Sequence, residues 1–346
     1  PPLRDEQPLG KARVTEMILP NEVGEQEVFD LKETPVLSPE LQAQFPQIRT
    51  YVGKSRKRPE VKIRLSYTPT GINAWLRFPD GENRFLQPVR TQKNRYVSYN
   101  RSEDVDAVGF KCSTPLENNW KGRDRPEINL KSARTAKAGD IKTFKLAIST
   151  SGGYTDFWGD NDPANGTNQE DAFASVVSTI NRVNEIFETE LGIHLELISG
   201  LDLIYTSIEL DPYSDNLNDE IQQVLDEKIG SEHYDLGHLF AYSRDGGNGN
   251  AGSVGSVCKD GYKGAAFSAH PFQGSSSDPY FNDHFDIDFV SHEVGHQFGA
   301  YHTFAYENEL EGFSSEPASG STIMGYAGIV GMDNVQHHSD PYFHYY

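Results

Sequence analysis

The sequence predicts a mixed α/β unit, with helices packed on a mainly parallel sheet, preceded by a smaller and mostly β unit. Three observations predict this. Beyond residue 141, strand-like and helix-like periods alternate. Between residues 61 and 81 the period is two, with turn residues in between. The sign of the charge also reverses from one part of the chain to the other. At 346 residues the chain is too long for one ordinary domain and about right for two.

The elements follow in order. Val61 to Tyr67 alternates apolar and polar residues, Thr68-Pro69-Thr70-Gly71 is a turn signal, and Ile72 to Phe78 is the hairpin partner. Leu41 to Phe45 fits one short helix. Residues 1–112 therefore form the small β unit. Residues 113–140 are polar and basic without sustained apolar period, which is linker composition and open to cleavage. In residues 141–346, Thr143 to Ile148 is a strand, and Gln169 to Leu191 is a helix with Phe173, Val176, Val177, Ile180, Val183 and Phe187 at helical spacing. Ile193 to Ile198 is a strand, Leu217 to Ile229 a second helix, and Tyr234 to Tyr242 a third strand. Short Gly-rich strands follow around Ala251–Val257 and Ala265–His270. Strand and helix in alternation argue for helices packed on a parallel sheet.

Residues 1–140 hold 24 Lys and Arg against 19 Asp and Glu, whereas residues 141–346 hold 7 against 32. A main body that acidic excludes a nucleic-acid binder. Opposite signs fit either two differently solvated faces or two surfaces that dock. No run approaches eighteen apolar residues, so no membrane span is expected. The start, Pro1 to Glu6, lacks the basic-then-apolar layout of a signal peptide, which was either removed or never present.

The decisive segment is His292-Glu293-Val294-Gly295-His296-Gln297-Phe298-Gly299-Ala300-Tyr301-His302, at the end of a helical pattern carrying Phe285, Phe289, Val290, Val294 and Phe298. His292 and His296 are four apart, so one helical face offers both imidazoles to one ion. Glu293 is rotated off that line, within reach of a water on the metal. Gly299 can take positive φ, turn the chain and return His302 as a third nitrogen ligand. Three histidines leave one tetrahedral position open, as catalytic zinc requires.

This motif resembles the metzincin clan of zinc peptidases. Ser321-Thr322-Ile323-Met324-Gly325-Tyr326 is placed as the clan's Met-turn, with Met324 as the apolar floor of the site. The strand–helix order looks most like the adamalysin/reprolysin (M12B-like) group. Glu316-Pro317 through Gly328 and Ser339 to His344 look like its secreted bacterial members. Thr303 stands where the adamalysin pattern has Asp, and Cys258 has no partner in its own half for that group's disulfides. The resemblance implies an α/β metzincin catalytic domain at 141–346 and a secreted zinc endopeptidase acting on proteins or peptides. In it Glu293 acts as general base and zinc lowers the pKa of its water to about 7. Tyr326 is placed like the tyrosine of the astacin and serralysin groups, which approaches the metal or the carbonyl. A cleft aromatic without chemical part is its other reading.

Cys112, at the end of the β unit, resembles the cysteine switch of metzincin zymogens, a fourth zinc ligand that displaces the catalytic water. A Cys112–Cys258 disulfide and a plain buried thiol are the alternatives, and Asp104 or Asp106 would serve in an aspartate version. The β unit is then an inhibitory prodomain docked on its own catalytic domain, and the linker is cut near Arg134 or Lys137 by an activating protease or by autolysis. A non-catalytic, adhesion-like protein on the same fold is the rival function, opposed by the intact motif. The other histidines read as isolated side chains, and the adjacent pair His337-His338 points two ways. Calcium is a second cation for the acidic loop of Asp156, Asp160, Asn161 and Asp162. The spacing departs from an EF-hand, so a solvated loop is the reading there.

Overall fold

The computed structural model describes residues 14–89, 92, 94–103, 109–116, 141–244, 246–272, 283–307 and 312–344. Asp104, Asp106, Arg134 and Lys137 lie outside the described residues.

Seven strands form an antiparallel meander in chain order: β1 (Val14–Pro20), β2 (Gln26–Glu33), β3 (Arg49–Ser55), β4 (Lys62–Thr68), β5 (Gly71–Arg77), β6 (Asn83–Pro88) and β7 (Tyr96–Asn100). The β4–β5 pairing closes at Thr68 and Gly71, as the turn residues require. Successive side chains take opposite faces. Ile63, Leu65, Ala74 and Leu76 join Phe29 and Leu31 in a core belonging to this sheet alone. Helix α1 (Pro39–Gln44) begins two residues before the expected Leu41, because Pro39 suits the first turn and the Ser38 hydroxyl accepts the Leu41 N–H.

The second sheet has the order β10-β9-β11-β13-β12-β8. Its strands are β8 (Phe110–Cys112), β9 (Lys142–Thr150), β10 (Ile193–Leu197), β11 (Leu236–Tyr242), β12 (Gly247–Asn250) and β13 (Phe267–His270). Only β12 and β13 pair antiparallel. Helix α2 (Gly152–Trp158) follows β9, and α3 (Asn168–Leu191) opens on a capping box of Thr167 and Glu170 and closes on Gly192 at φ 65°. The expected stripe of α3 is buried. On the opposite face of the sheet, α4 (Leu217–Lys228) packs Ile221, Val224 and Leu225 on Leu239 and Phe267.

One expected strand is corrected. Ala251–Val257 is a run of turns, with Gly252 and Gly255 at φ near +70° breaking the extended backbone, and the strand lies at Gly247–Asn250 instead.

The two sheets meet over α3 and along both margins of the second sheet. Arg64, 2% exposed, donates to Glu188 at 2.6 and 3.0 Å and to Asn181 at 2.9 Å, while Arg77 reaches Glu185 at 3.0 Å. Arg101 forms buried ion pairs with Asp283 and Asp288. At one margin Ser38 N–H donates to Leu197 O at 2.9 Å and Leu197 N–H to Val36 O at 2.8 Å, extending the ladder beyond β10. At the other, β8 lies parallel to β12. One apolar cluster runs through the junction, joining Val36, Leu41, Phe45, Trp75 and Phe85 to Phe173, Val177 and Ile148.

Candidate active site and metal centre

Helix α5 (Ser291–Gln297) continues a π-helical stretch, His284–Val290, in which the Ser291 N–H reaches back five residues to Asp286 O. The expected helical pattern is present, π-helical over its first part and α-helical over the second. The wider turns bury Phe285, Phe289 and Val290 together, and Asp286 in this stretch pairs with Arg182 of α3 at 2.8 Å.

His292 and His296 project from α5. Gly299, at φ 107°, turns the chain and His302 returns to them. His302 Nε2 lies 3.1 Å from His292 Nε2 and 3.0 Å from His296 Nε2. His292 Nδ1 is 2.7 Å from Ile323 O and His296 Nδ1 is 2.8 Å from Ala300 O. A carbonyl only accepts, so each Nδ1 carries the proton and each Nε2 presents a lone pair. Burial, then the neighbouring His302, pushes His292 down to about 3 and His296 well below its ordinary value, so both rings are neutral ligands. The two lone pairs converge with His302 Nε2 within hydrogen-bond distance, an arrangement that a cation among the three nitrogens satisfies. Cys112 completes the group: its Sγ is 3.5 Å from His296 Nε2, and all four donor atoms lie within 4.8 Å of one another. Four converging nitrogen and sulfur donors suit zinc, so these residues fit the ion that the motif implies.

Glu293 is fully buried beside this cluster, and burial pushes it up to about 8 against the opposing Thr114 hydroxyl, which donates to Oε2 at 2.8 Å. Oε1 accepts no hydrogen bond among the described residues. Burial, then the Glu293 carboxylate, pushes the Cys112 thiol well above its usual value. A divalent ion at the cluster acts on both groups in the opposite direction.

The turn after His302 supplies the floor. Met324 is 2% exposed and packs on Gly295, where an added Cβ would stand 2.8 Å from its sulfur. Tyr326 Oη is 3.3 Å from His302 Nε2, so this residue stands at the cluster. Sequence reasoning did not single out Glu316 as a functional residue. Buried, it accepts hydrogen bonds from the hydroxyls of Thr303 and Thr322 and from the N–H groups of Ser321 and Thr322, which ties His302's neighbour to the turn under the site. Thr303 therefore has a structural partner where the related pattern has Asp. Thr114, on the β8 side, was also passed over, because nothing local in Ser113-Thr114-Pro115 marks a contact with a residue 179 positions away.

The alternative Cys112–Cys258 disulfide is not formed. Both thiols are free, and Cys258 is exposed beside Asp235 while Cys112 faces the imidazoles. The remaining histidines stay outside the site. His194 pairs with Glu188, His238 with Ser268 and Gln297, and His338 meets His284 edge to face. Asp156 is exposed. The described residues hold no other cluster of three or more His, Cys, Asp or Glu that converges as this one does, and no helix among them is long and apolar enough to cross a membrane.

A family model described as Metallo-peptidase family M12B Reprolysin-like matches residues 140–344, more than half of the chain. No curated protein matches. The matched span contains the three histidines, Glu293 and the turn at Met324, so the chain belongs to the M12B reprolysin-like metallopeptidases.

Proposed function

We propose that the chain is a secreted zinc endopeptidase in its latent form, with residues 1–112 as inhibitory prodomain, 113–140 as the linker cut at maturation and 141–346 as catalytic domain. The observation that carries this reading is the convergence of His292, His296, His302 and Cys112 Sγ on one point beside a buried Glu293.

His292, His296 and His302 would hold the zinc, which would supply Lewis acidity for the scissile carbonyl and an acidified water. Glu293 then takes the water's proton and returns it to the leaving amine. Ile323 O and Ala300 O hold two imidazoles in the ligating tautomer, and Tyr326 stands where its hydroxyl can donate to the reacting oxygen. In the latent form Cys112 holds the fourth position and β8 fills the margin beside β12.

Glu293→Gln in the matured enzyme should abolish peptide hydrolysis while one zinc per chain is retained, read by metal analysis beside a peptide assay. Appreciable hydrolysis by that variant would remove Glu293 as the base.

A further inference from the structure

Phe110 stands two residues before Cys112 on β8, so both side chains take the same face of the strand. Cys112 reaches the imidazoles, whereas the Phe110 ring enters a pocket beside them and is 8% exposed. Its centroid lies 4.3 Å from that of Phe289, and it meets the ring of His292 at 5.4 Å and 79°, an edge-to-face contact. Tyr326, Ala327 and Ile329, from the turn under the site and the chain beyond it, line the same pocket, where about 20 Å³ stays free beside the ring. The room is built into the chain. Gly247 pairs with Phe110 across the ladder, and a Cβ there would clash with the Phe289 ring. Gly249 pairs with Cys112, and a Cβ there would clash with Glu293. The glycines of β12 thus make way for one wall of the pocket and for the buried Glu293.

On the proposed function, β8 leaves at maturation and a substrate strand takes its place beside β12, with the scissile carbonyl where Cys112 Sγ stood. The pocket then opens within two residues of the scissile bond. A planar ring entering it regains both ring contacts that Phe110 makes, while a branched aliphatic chain regains only the buried area. Asp288 also lines the pocket and is paired with Arg101 in the latent form, which makes a basic side chain the rival occupant. We propose that the pocket filled by Phe110 sets the specificity of the enzyme and takes an aromatic side chain of the substrate, for which Phe110 stands in until maturation. The inference rests on the protease reading of the same site.

Two measurements keep the pocket and the protease reading apart. In the zinc-loaded full chain carrying Glu293→Gln to prevent self-cleavage, Phe110→Ala vacates the ring. Toluene should then raise the Tm of that variant and leave that of its parent unchanged. In the chain activated by cleavage in the linker, a quenched-peptide series is varied at the two positions on either side of the scissile bond. At one of them Phe should be cut roughly tenfold or more faster than Ala by kcat/KM, and about threefold faster than Leu. Ala327→Leu and Ile329→Phe narrow the pocket, and each should lower the ratio of Phe to Ala by about tenfold. Leu, Ala or Arg cut as fast as Phe at every position overturns the proposal, Arg by assigning the pocket to Asp288. So does an undiminished preference for Phe in whichever narrowing variant melts as the activated parent does. No hydrolysis of any peptide, with toluene still stabilising Phe110→Ala, overturns the protease reading and leaves the pocket an aromatic site.

Discussion

Thr114 Oγ1 accepts the Ala251 N–H at 2.8 Å and turns its own hydrogen to Glu293, while the Thr114 N–H points at Cys112 Sγ at 3.5 Å. On the proposed reading, Cys112 at the end of the prodomain and Thr114 at the start of the linker thus engage both the metal position and the base. Cys112→Ala should therefore give only partial activity before maturation. Adding Thr114→Val should raise it about tenfold further, since one hydrogen bond to a charged group is worth about 1.5 kcal/mol or more. Cys258→Ala should leave latency intact. Rates on a quenched peptide, taken side by side, check this, and equal activation by the two cysteine variants contradicts it. At this scale the convergence of the histidines was legible because their geometry is local: two histidines four apart on a helix and a third beyond a glycine turn. Thr114 and Glu316 were not, because their partners are set by the fold and leave no spacing to read.

Among the elements, the helices and apolar strands were legible from period and caps, as α3 shows with its stripe and its capping box. Strand β12, Gly247-Asn248-Gly249-Asn250, was not. Nothing in its composition favours a strand, and its conformation follows from pairing with β13 and β8. The π-helical stretch before α5 was equally hidden, and the buried pair within it, Asp286 with Arg182, joins two residues in different elements. The turn under the site depends in the same way on one carboxylate. Glu316→Ala leaves two hydroxyls and two amides without their acceptor, and it should cost about 3 kcal/mol. Melting temperature and zinc affinity should fall together, because Thr303 adjoins the ligand His302 and Ile323 O holds the ligand His292. A variant that melts lower but binds zinc as before would separate the turn from the metal centre.

Across the whole molecule, the reversal of charge along the sequence is matched by buried pairs at the junction, Arg64 with Glu188 and Arg101 with Asp283 and Asp288. Composition supplied the signs but not the partners. Burial opposes ionisation of Glu188, yet His194 and Arg64 draw it down to about 2. His194 stays with Glu188 when the halves part, so only the share due to Arg64 depends on association; that share contributes above the free carboxylate value and is lost as pH falls below it. A chain nicked in the linker should therefore stay associated and latent at neutral pH, and it should loosen only as pH falls below the ordinary carboxylate range. Salt should do little, since screening acts mainly on exposed charges. Gel filtration of nicked protein across pH and salt checks this; free halves at neutral pH would contradict it.

The apolar cluster that runs through the junction has a consequence for the enzyme's lifetime. Phe173, Val177 and Ile148 pack in one core with Val36, Phe45 and Trp75, so on the proposed reading the catalytic half acquires its form with walls that maturation removes. Once those walls are gone, a molecule that unravels lacks part of the template on which it first condensed. Its persistence then rests on the height of the barrier to unfolding and not on the balance between folded and unfolded states. Such an enzyme ages in one direction, and each unfolding event is final.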